Sequence, residues 1–526
     1  MDNRERGSDL VVVANRLPLR KLVDADGATT WAPSPGGLVT SLQAVIDGLG
    51  LTTAWIGWDG TVDATPERPW ISDRVAAVPV PLSAAEVAGF YDGFANGTLW
   101  PLYHDAIRRP TFDESTWPDY VAVNQRFADV AASSVAPGGT VWIHDYHLQL
   151  VPAMVRARRP DVRIGFFLHI PFPPPELFLQ LPWRTEVLCG LLGADVIGFQ
   201  EPVAARNFGL LVRRLDLATG GLPMLRHQGR HVRVGSYPVS IVADQLELQA
   251  AQPAVMDAVA ELRLQLHHPR TLLLGVDRLD YTKGIEARLE AFRTLLAEGK
   301  LTAKDVTMVQ VAVPSREDVG FYQRERECVE RLVSEINGEF GAVGAPVIHY
   351  LYQSFELPEL LALYRAADVA LVTPYRDGMN LVAKEYVTAR VDDDGVLILS
   401  EFAGAARELS HALLVNPYDR RGMVDAIRQA IEMPADERRQ RMRQLRKAVR
   451  SWTATDWART FLGDVAEDDD GGSPMVPLGA PLTLVSAAAL EPDSLVQSSL
   501  PLLVQSSQPA LADVALAEVA LAEVAR

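Results

Sequence analysis

The sequence predicts an α/β chain built on two doubly wound, largely parallel sheets, and three observations predict it. Short runs rich in Val, Ile and Leu recur without polar interruption, the pattern of strands covered on both faces. Amphipathic stretches of helical period separate those runs. The alternation continues over roughly 450 residues, too long for one sheet and right for two doubly wound domains.

Taken in order, the strand-like runs are 9–15, 141–143, 164–168, 196–199, 271–276, 307–313, 347–351, 369–372 and 396–399. Helical patterns lie at 37–49, 121–132, 285–298, 316–337, 358–366 and 423–431. The segment 233–237 reads as the last strand of the first half, 242–266 as helix, and Thr271 opens a new strand, which sets the boundary near 238–242. The domains are therefore 1–238 and 239–450, followed by an amphipathic terminal helix at 451–464, SWTATDWARTFL and two residues more. Residues 465–526 differ in character, with nine acids and one base. LVQSS repeats at 495–499 and 503–507, and VALAE at 514–518 and 519–523. A five-residue spacing is neither a helix nor a coiled-coil period, so this tail reads as a disordered acidic appendage. A docking helix over 510–526 is the other reading.

Composition narrows the function. The net charge of −17 argues against nucleic acid, which demands a basic footprint. It leaves room for small anions, since a few cations can dominate a cleft. The two cysteines, Cys189 and Cys328, could pair, but they exclude a disulfide framework and a Cys-rich zinc site. The opening MDNRERGSDLVVVANR reads as polar residues and a strand rather than a leader, and no run has the ~18 apolar residues of a membrane span. A cytoplasmic protein with no membrane partner is the expectation.

Five motifs carry chemistry. VVVANRLP ends a strand at Asn15–Arg16, and SPGGL, with Gly36 and Gly37 before a helix, suits close approach to a negatively charged ligand. A plain loop with a surface Arg16 fits equally well. VDRLDYTKG follows a strand directly, and in open α/β sheets ligands bind at the carboxyl ends of strands. There Arg278 can fork two phosphate oxygens and Lys283 can add a point charge; pairing with Asp277 and Asp280 is the plainer alternative. TPYRDGMNLVAKE also follows a strand. Its Asp377-Gly378 turn leads into a helix whose first N–H groups, over Met379, Asn380, Leu381 and Val382, are unpaired. Glu385, one turn in, can accept both hydroxyls of a ribose or merely form a surface salt bridge. WIHDYH and FFLHIPFP end buried strands in His144, Asp145, His147 and His169. These suit a polyhydroxylated ligand better than a metal, because no usual zinc spacing is present. Trp55, Trp58, Tyr91 and Trp100 are the kind of ring that packs on sugar faces, though singly each reads first as core. Walker A, GxSxG and HExxH motifs are absent.

Together NRLP, SPGGL, GFANGTLWPLYH, HDYHLQLVP, FFLHIPFPP, VDRLDYTKGI and TPYRDGMNLVAKEY, in this order from about Leu10 to Leu462, resemble the trehalose-6-phosphate synthase family. The resemblance implies a GT-B fold, two Rossmann-like domains with the active site in the cleft between them. The first would be the acceptor domain and the second the nucleotide-sugar domain, with the terminal helix packing back on the first. It implies a retaining transfer of glucose from a nucleoside-diphosphate glucose, UDP-glucose being expected, to glucose 6-phosphate, giving α,α-trehalose 6-phosphate.

Carried over by residue, Arg16 and Arg316 would hold the acceptor phosphate, with Tyr91 and Trp100 beside it, Trp58 lining the pocket and Asp145 on acceptor hydroxyls. Arg278 and Lys283 would grip the donor diphosphate, and Gly36 and Gly37 would lie against the donor. His169 and Asp377 would hold the transferred glucose. Gly378, Met379 and Asn380 would line the donor site, Leu381, Val382 and Glu385 would hold ribose and phosphates, and Phe355 would lie by the base. Trp100 and Ile170 would bear on anomer choice. The catalytic set implied is His169, Asp377, Arg278 and Lys283. No tightly bound cofactor and no protein metal site are expected; Mg²⁺ would act in solution by shielding the nucleotide. A homo-oligomer, dimer or tetramer, is expected. The alternatives are a related transferase with another acceptor, such as glycerol 3-phosphate, and a non-catalytic sugar-phosphate sensor or scaffold.

Overall fold

The computed structural model describes residues 7–23, 29–33, 42, 46, 50–63, 70–72, 74–299, 301–302, 305–315 and 320–467. The tail from 468 onward therefore lies outside the described residues, as do Gly36, Gly37 and Arg316.

Strand Ser8–Arg16 is the middle of the first sheet. Its alternate residues face opposite sides: Leu10 and Val12 enter one apolar cluster, Val11 and Val13 another, all of them buried. That is why the run carries no polar interruption. From it the sheet grows one way through Thr53–Trp58 and Val75–Pro79, and the other way through Val135–His144, Arg163–Phe167, Val196–Phe199 and Arg230–Ser236. These strands are parallel, with Val12 opposite both Trp55 and Trp142. Short antiparallel strands extend both edges: Trp70–Ser72 at one, Met224–His227 and Thr219–Gly221 at the other. The direction of growth reverses between Ser8–Arg16 and Val135–His144.

The second sheet repeats the device with six described strands. Thr271–Arg278 leads one way to Val306–Val313 and Ile348–Leu351, and Val369–Val372, Val396–Ser400 and Leu413–Val415 run the other way, all parallel. Its reversal falls between Thr271–Arg278 and Val369–Val372. Reversal points leave a crevice outside the strands' carboxyl ends, where open α/β sheets bind ligands. Both sheets belong to one compact unit.

The predicted strands are present, and the departures have local causes. The expected helix at 242–266 is two helices, Ala243–Ala250 and Pro253–Gln265, because Pro253 cannot donate to a continuing helix and starts a new one. Of the expected helix at 37–49, only Leu42 and Ile46 are described; both are helical and buried. The stretch GFYDGFANGTL lies in a π-helical segment, Val87–Leu99, leading into helix Trp100–Tyr103. The terminal helix is Ala454–Ala466, started by a Thr453–Asp456 capping box. Its Trp457 and Phe461 pack on Trp142, at 5.2 and 5.6 Å between centroids, and on Phe167. Gly165 and Gly198 leave the room that Phe461 occupies. Cys189 and Cys328 are both free thiols.

Candidate active site between the two sheets

At the first reversal point Arg16 leaves the end of its strand and lays its guanidinium over Trp58, 3.9 Å from the ring centroid and 5.9 Å from that of Tyr91. Trp58 is fixed by its Nε1–H donating to the Thr61 carbonyl at 2.6 Å. Tyr91, on the π-helical segment, stacks on His147 at 5.7 Å with the rings 8° apart. Trp55 is not part of this group; it lies in the core.

Strand Val135–His144 ends beside it. Asp145 turns the chain at a φ of 74°, unusual for a residue with a side chain, and its carboxylate accepts the His169 backbone N–H at 3.2 Å. The His169 ring meets the His144 ring, Nε2 to Nδ1, at 3.0 Å.

At the second reversal point strand Thr271–Arg278 ends with its last two residues facing opposite ways. Asp277 turns inward to Arg288 at 2.6 Å, both side chains buried. Arg278 is exposed and lies 5.4 Å from the Trp100 ring centroid, Trp100 belonging to the first half of the chain. Asp280 accepts from the Thr282 N–H at 3.0 Å and the Tyr322 hydroxyl at 3.1 Å. Pairing of Asp277 with a neighbouring motif cation is thus overturned: Arg288, eleven residues from Asp277 in sequence and on a different element, takes that place. Lys283 is mostly buried and donates to Asp377 at 2.5 Å. Gly284 follows at a φ of 63°, and a Cβ there would fall 2.3 Å from the Thr373 carbonyl oxygen, so the lysine turn presses directly on the neighbouring strand end.

Beyond strand Val369–Val372, Asp377 also accepts from the Asn380 amide at 3.1 Å. Burial raises the Asp377 pKa, but Lys283 opposes it and the net position is below the usual value. Asn380 uses its side-chain oxygen to cap helix Leu381–Ala389 at the Ala383 N–H. Glu385 accepts from the buried Tyr364 hydroxyl at 2.9 Å, in place of a surface salt bridge. Leu381, Val382 and Phe355 are half-buried against one apolar cluster.

The two groups of strand ends come together. A Cβ on Gly378 would lie 2.2 Å from the His169 carbonyl oxygen, so only glycine permits this approach. Ile170, Pro171, Arg376, Asp377 and Gly378 line the crevice there. Arg376 pairs with Asp105 at 3.2 Å, and Arg108 lies over Phe321, 4.0 Å from its centroid. His104 donates from Nδ1 to the Trp100 carbonyl at 2.8 Å, and burial drives its pKa down to about 4. His104, Asp105 and Arg376 were not singled out from sequence, although His104 and Arg376 stand inside the quoted motifs. That position was the only signal for these two, and Asp105 had none. Among the described residues no group of three His, Cys, Asp or Glu is placed to hold a metal, and no helix is long and apolar enough to cross a membrane.

Two doubly wound lobes meet here at their strand ends, with cations on one side and a cation bedded on aromatic rings on the other, the arrangement of a GT-B fold. The family model of glycosyltransferase family 20 matches residues 8–467, and the chain belongs to that family. It is 51% identical over 472 residues to the trehalose-6-phosphate synthase of Mycolicibacterium paratuberculosis, covering 88% of this chain and 96% of the relative. It is 50% identical over 475 residues to that of Mycobacterium tuberculosis H37Rv, covering 87% and 95%. Among solved structures, an α,α-trehalose-phosphate synthase (UDP-forming) from Burkholderia vietnamiensis superposes with a TM-score of 0.78 at 37% identity, covering 87% of this chain and 97% of that one. A Burkholderia xenovorans synthase in complex with glucose-6-phosphate gives 0.79 at 34%, covering 87% and 99%.

Proposed function

We propose that this glycosyltransferase moves glucose, with retention, from UDP-glucose to glucose 6-phosphate, forming α,α-trehalose 6-phosphate in trehalose biosynthesis. The observation that carries the reading is the meeting of Arg278 with Trp100 and of Gly378 with His169. These contacts bring the cations of the second sheet against the strand ends of the first. The names of the relatives agree with it.

In this reading residues 1–238 form the acceptor lobe and 239–450 the donor lobe. Arg16, on its bed of Trp58 and Tyr91, takes the acceptor phosphate, helped by Arg316, and Trp100 stands beside the phosphate. Asp145 takes acceptor hydroxyls. Arg278 and Lys283 take the donor diphosphate. An ammonium has three donors, so Lys283 can keep Asp377 and still reach a phosphate oxygen. The start of helix Leu381–Ala389, lined by Met379, Leu381 and Val382, adds its positive end. Glu385 takes the ribose, Phe355 lies by the base, and Gly36 and Gly37 lie against the donor. His169 and Asp377 hold the transferred hexose, with Ile170 and Trp100 shaping the choice of anomer.

Asp377 is tied to Lys283 and Asn380, which suits a positioning carboxylate better than a nucleophile. Attack then comes from the same face the leaving phosphate departs, and that phosphate helps to take the acceptor proton. Arg278, Lys283 and the helix end stabilise the charge that grows on it. Contact of the lobes excludes water, the competing acceptor. We place the enzyme in the cytoplasm as a homo-oligomer, dimer or tetramer, with Mg²⁺ acting in solution only.

The test is a donor panel of uridine, adenosine and guanosine diphosphoglucose with glucose 6-phosphate or glycerol 3-phosphate, read by NMR of the product. An α,α-linked phosphodisaccharide from UDP-glucose and glucose 6-phosphate is the expected outcome. Strong preference for glycerol 3-phosphate, or a β-linked product, would overturn the reading.

A further inference from the structure

The strand ends of the first sheet hold a histidine pair that the scheme above uses only in half. His144 closes strand Val135–His144, and His169 lies just past the parallel neighbour Arg163–Phe167, whose Phe167 stands opposite His144 in register. His144 Nδ1 and His169 Nε2 are 3.0 Å apart, with ring centroids at 5.3 Å. His144 is 2% exposed, and its Nε2 is buried without a hydrogen-bond partner among the described residues. The Trp142 ring covers it, 4.6 Å between centroids. His169 is only half-buried, and its Nδ1 is bonded to no described residue and is not sealed from solvent. Its backbone is held on both sides: Asp145 accepts from the N–H, and the Gln200 amide donates to the carbonyl oxygen at 3.4 Å.

Burial keeps both rings neutral: it lowers the His169 pKa to about 3 and carries His144 well below the ordinary value. Two neutral imidazoles in contact share one bridging proton, and the bond made at one nitrogen decides which tautomer the ring adopts. If His169 donated, the remaining His144 proton would sit on Nε2, a buried N–H with no acceptor. If His144 donates, Nε2 is a bare lone pair, and orphaned N–H groups are the rarer of the two in folded proteins.

We propose that His144 is a positioning residue of the transfer site: its Nδ1–H donates to His169 Nε2, which puts the His169 proton on Nδ1 and presents it to an oxygen of the transferred hexose. This rests on the reading that His169 faces that hexose. His144 never touches substrate. It fixes the ring plane of His169 and makes its open nitrogen a donor rather than an acceptor.

The experiment is a long-range ¹H–¹⁵N correlation on the full chain labelled with ¹⁵N-histidine, in the presence of uridine diphosphate, with His144→Phe and His169→Ala spectra giving the assignments. The expected wild-type pattern has His169 protonated on Nδ1. In His144→Phe that tautomer is lost and kcat falls about tenfold, equal to about 1.4 kcal/mol, with KM for glucose 6-phosphate unchanged. His144→Asn, whose amide can stand where Nδ1 stood, recovers most of the rate. A wild-type His169 protonated on Nε2 overturns the proposal and leaves the proposed reaction standing. A His169 tautomer that survives His144→Phe overturns it as well. A His169→Ala enzyme with unchanged kcat removes instead the underlying assignment of His169 to the hexose.

Discussion

Replacing Lys283 by alanine separates two tasks assigned to one ammonium. Lys283 stands 2.5 Å from Asp377, and their side chains keep 11% and 14% exposure. Removing one partner of a buried ion pair costs about 3–5 kcal/mol, because the other charge stays behind with too little to balance it. Only the Asn380 amide would remain on Asp377 Oδ2. The sign follows from the carboxyl. In the wild type its folded pKa is depressed, so its contribution is present above the unfolded value, about 3.9, and is lost as pH falls through the folded one. In Lys283→Ala burial prevails and the folded pKa rises above the unfolded value, so the penalty is small near about pH 4 and grows toward neutral pH. The melting temperatures of the two proteins should therefore converge in mild acid and separate at neutral pH, as read by calorimetry across pH. Donor affinity is a separate readout. Loss of one charge-assisted contact, about 1.5–3 kcal/mol, weakens uridine diphosphate by about 10- to 150-fold in a calorimetric titration. The double variant Lys283→Ala/Asp377→Asn should regain much of the melting temperature and none of the affinity. A pH-independent loss of stability, or affinity restored by the second substitution, would refute this reasoning.

Other outcomes follow from particular contacts. Gly378→Ala places a methyl 2.2 Å from the His169 carbonyl oxygen, so the crevice must open; kcat should fall by about two orders of magnitude while each lobe stays folded, by circular dichroism. Trp457→Ala removes a fully buried ring that rests on Trp142 and Phe167, and should destabilise by about 3–5 kcal/mol in thermal unfolding. Arg376→Ala removes a largely buried guanidinium that faces both Asp105, 42% exposed, and Glu201, 12% exposed; stability should fall by about 1–3 kcal/mol in thermal unfolding, and steady-state kinetics should show KM rising a few-fold with kcat held.

The parallel strands were legible because burial on both faces leaves an apolar run that periodicity can see, as at Val11–Val13. The site motifs were legible because they follow such runs directly, and reversal points place functional loops there. The π-helical segment was not among the helical patterns, since Gly89, Gly93 and Gly97 interrupt its apolar face. The close approach of Gly378 to His169 joins residues far apart in sequence, and no local pattern encodes it. Asp277 was an ambiguous case: its charge marks it as a partner for Arg278, yet strand alternation turns it inward to Arg288. The histidines were visible as residues, but their pairing depends on register between neighbouring strands.

The most direct test is a crystal structure of the chain with uridine diphosphate and glucose 6-phosphate bound together. The expected result has the diphosphate on Arg278 and Lys283, the hexose phosphate on Arg16, and the reacting carbons facing each other beside His169. A diphosphate seated away from both second-lobe cations, or a sugar phosphate bound outside the crevice, would contradict it.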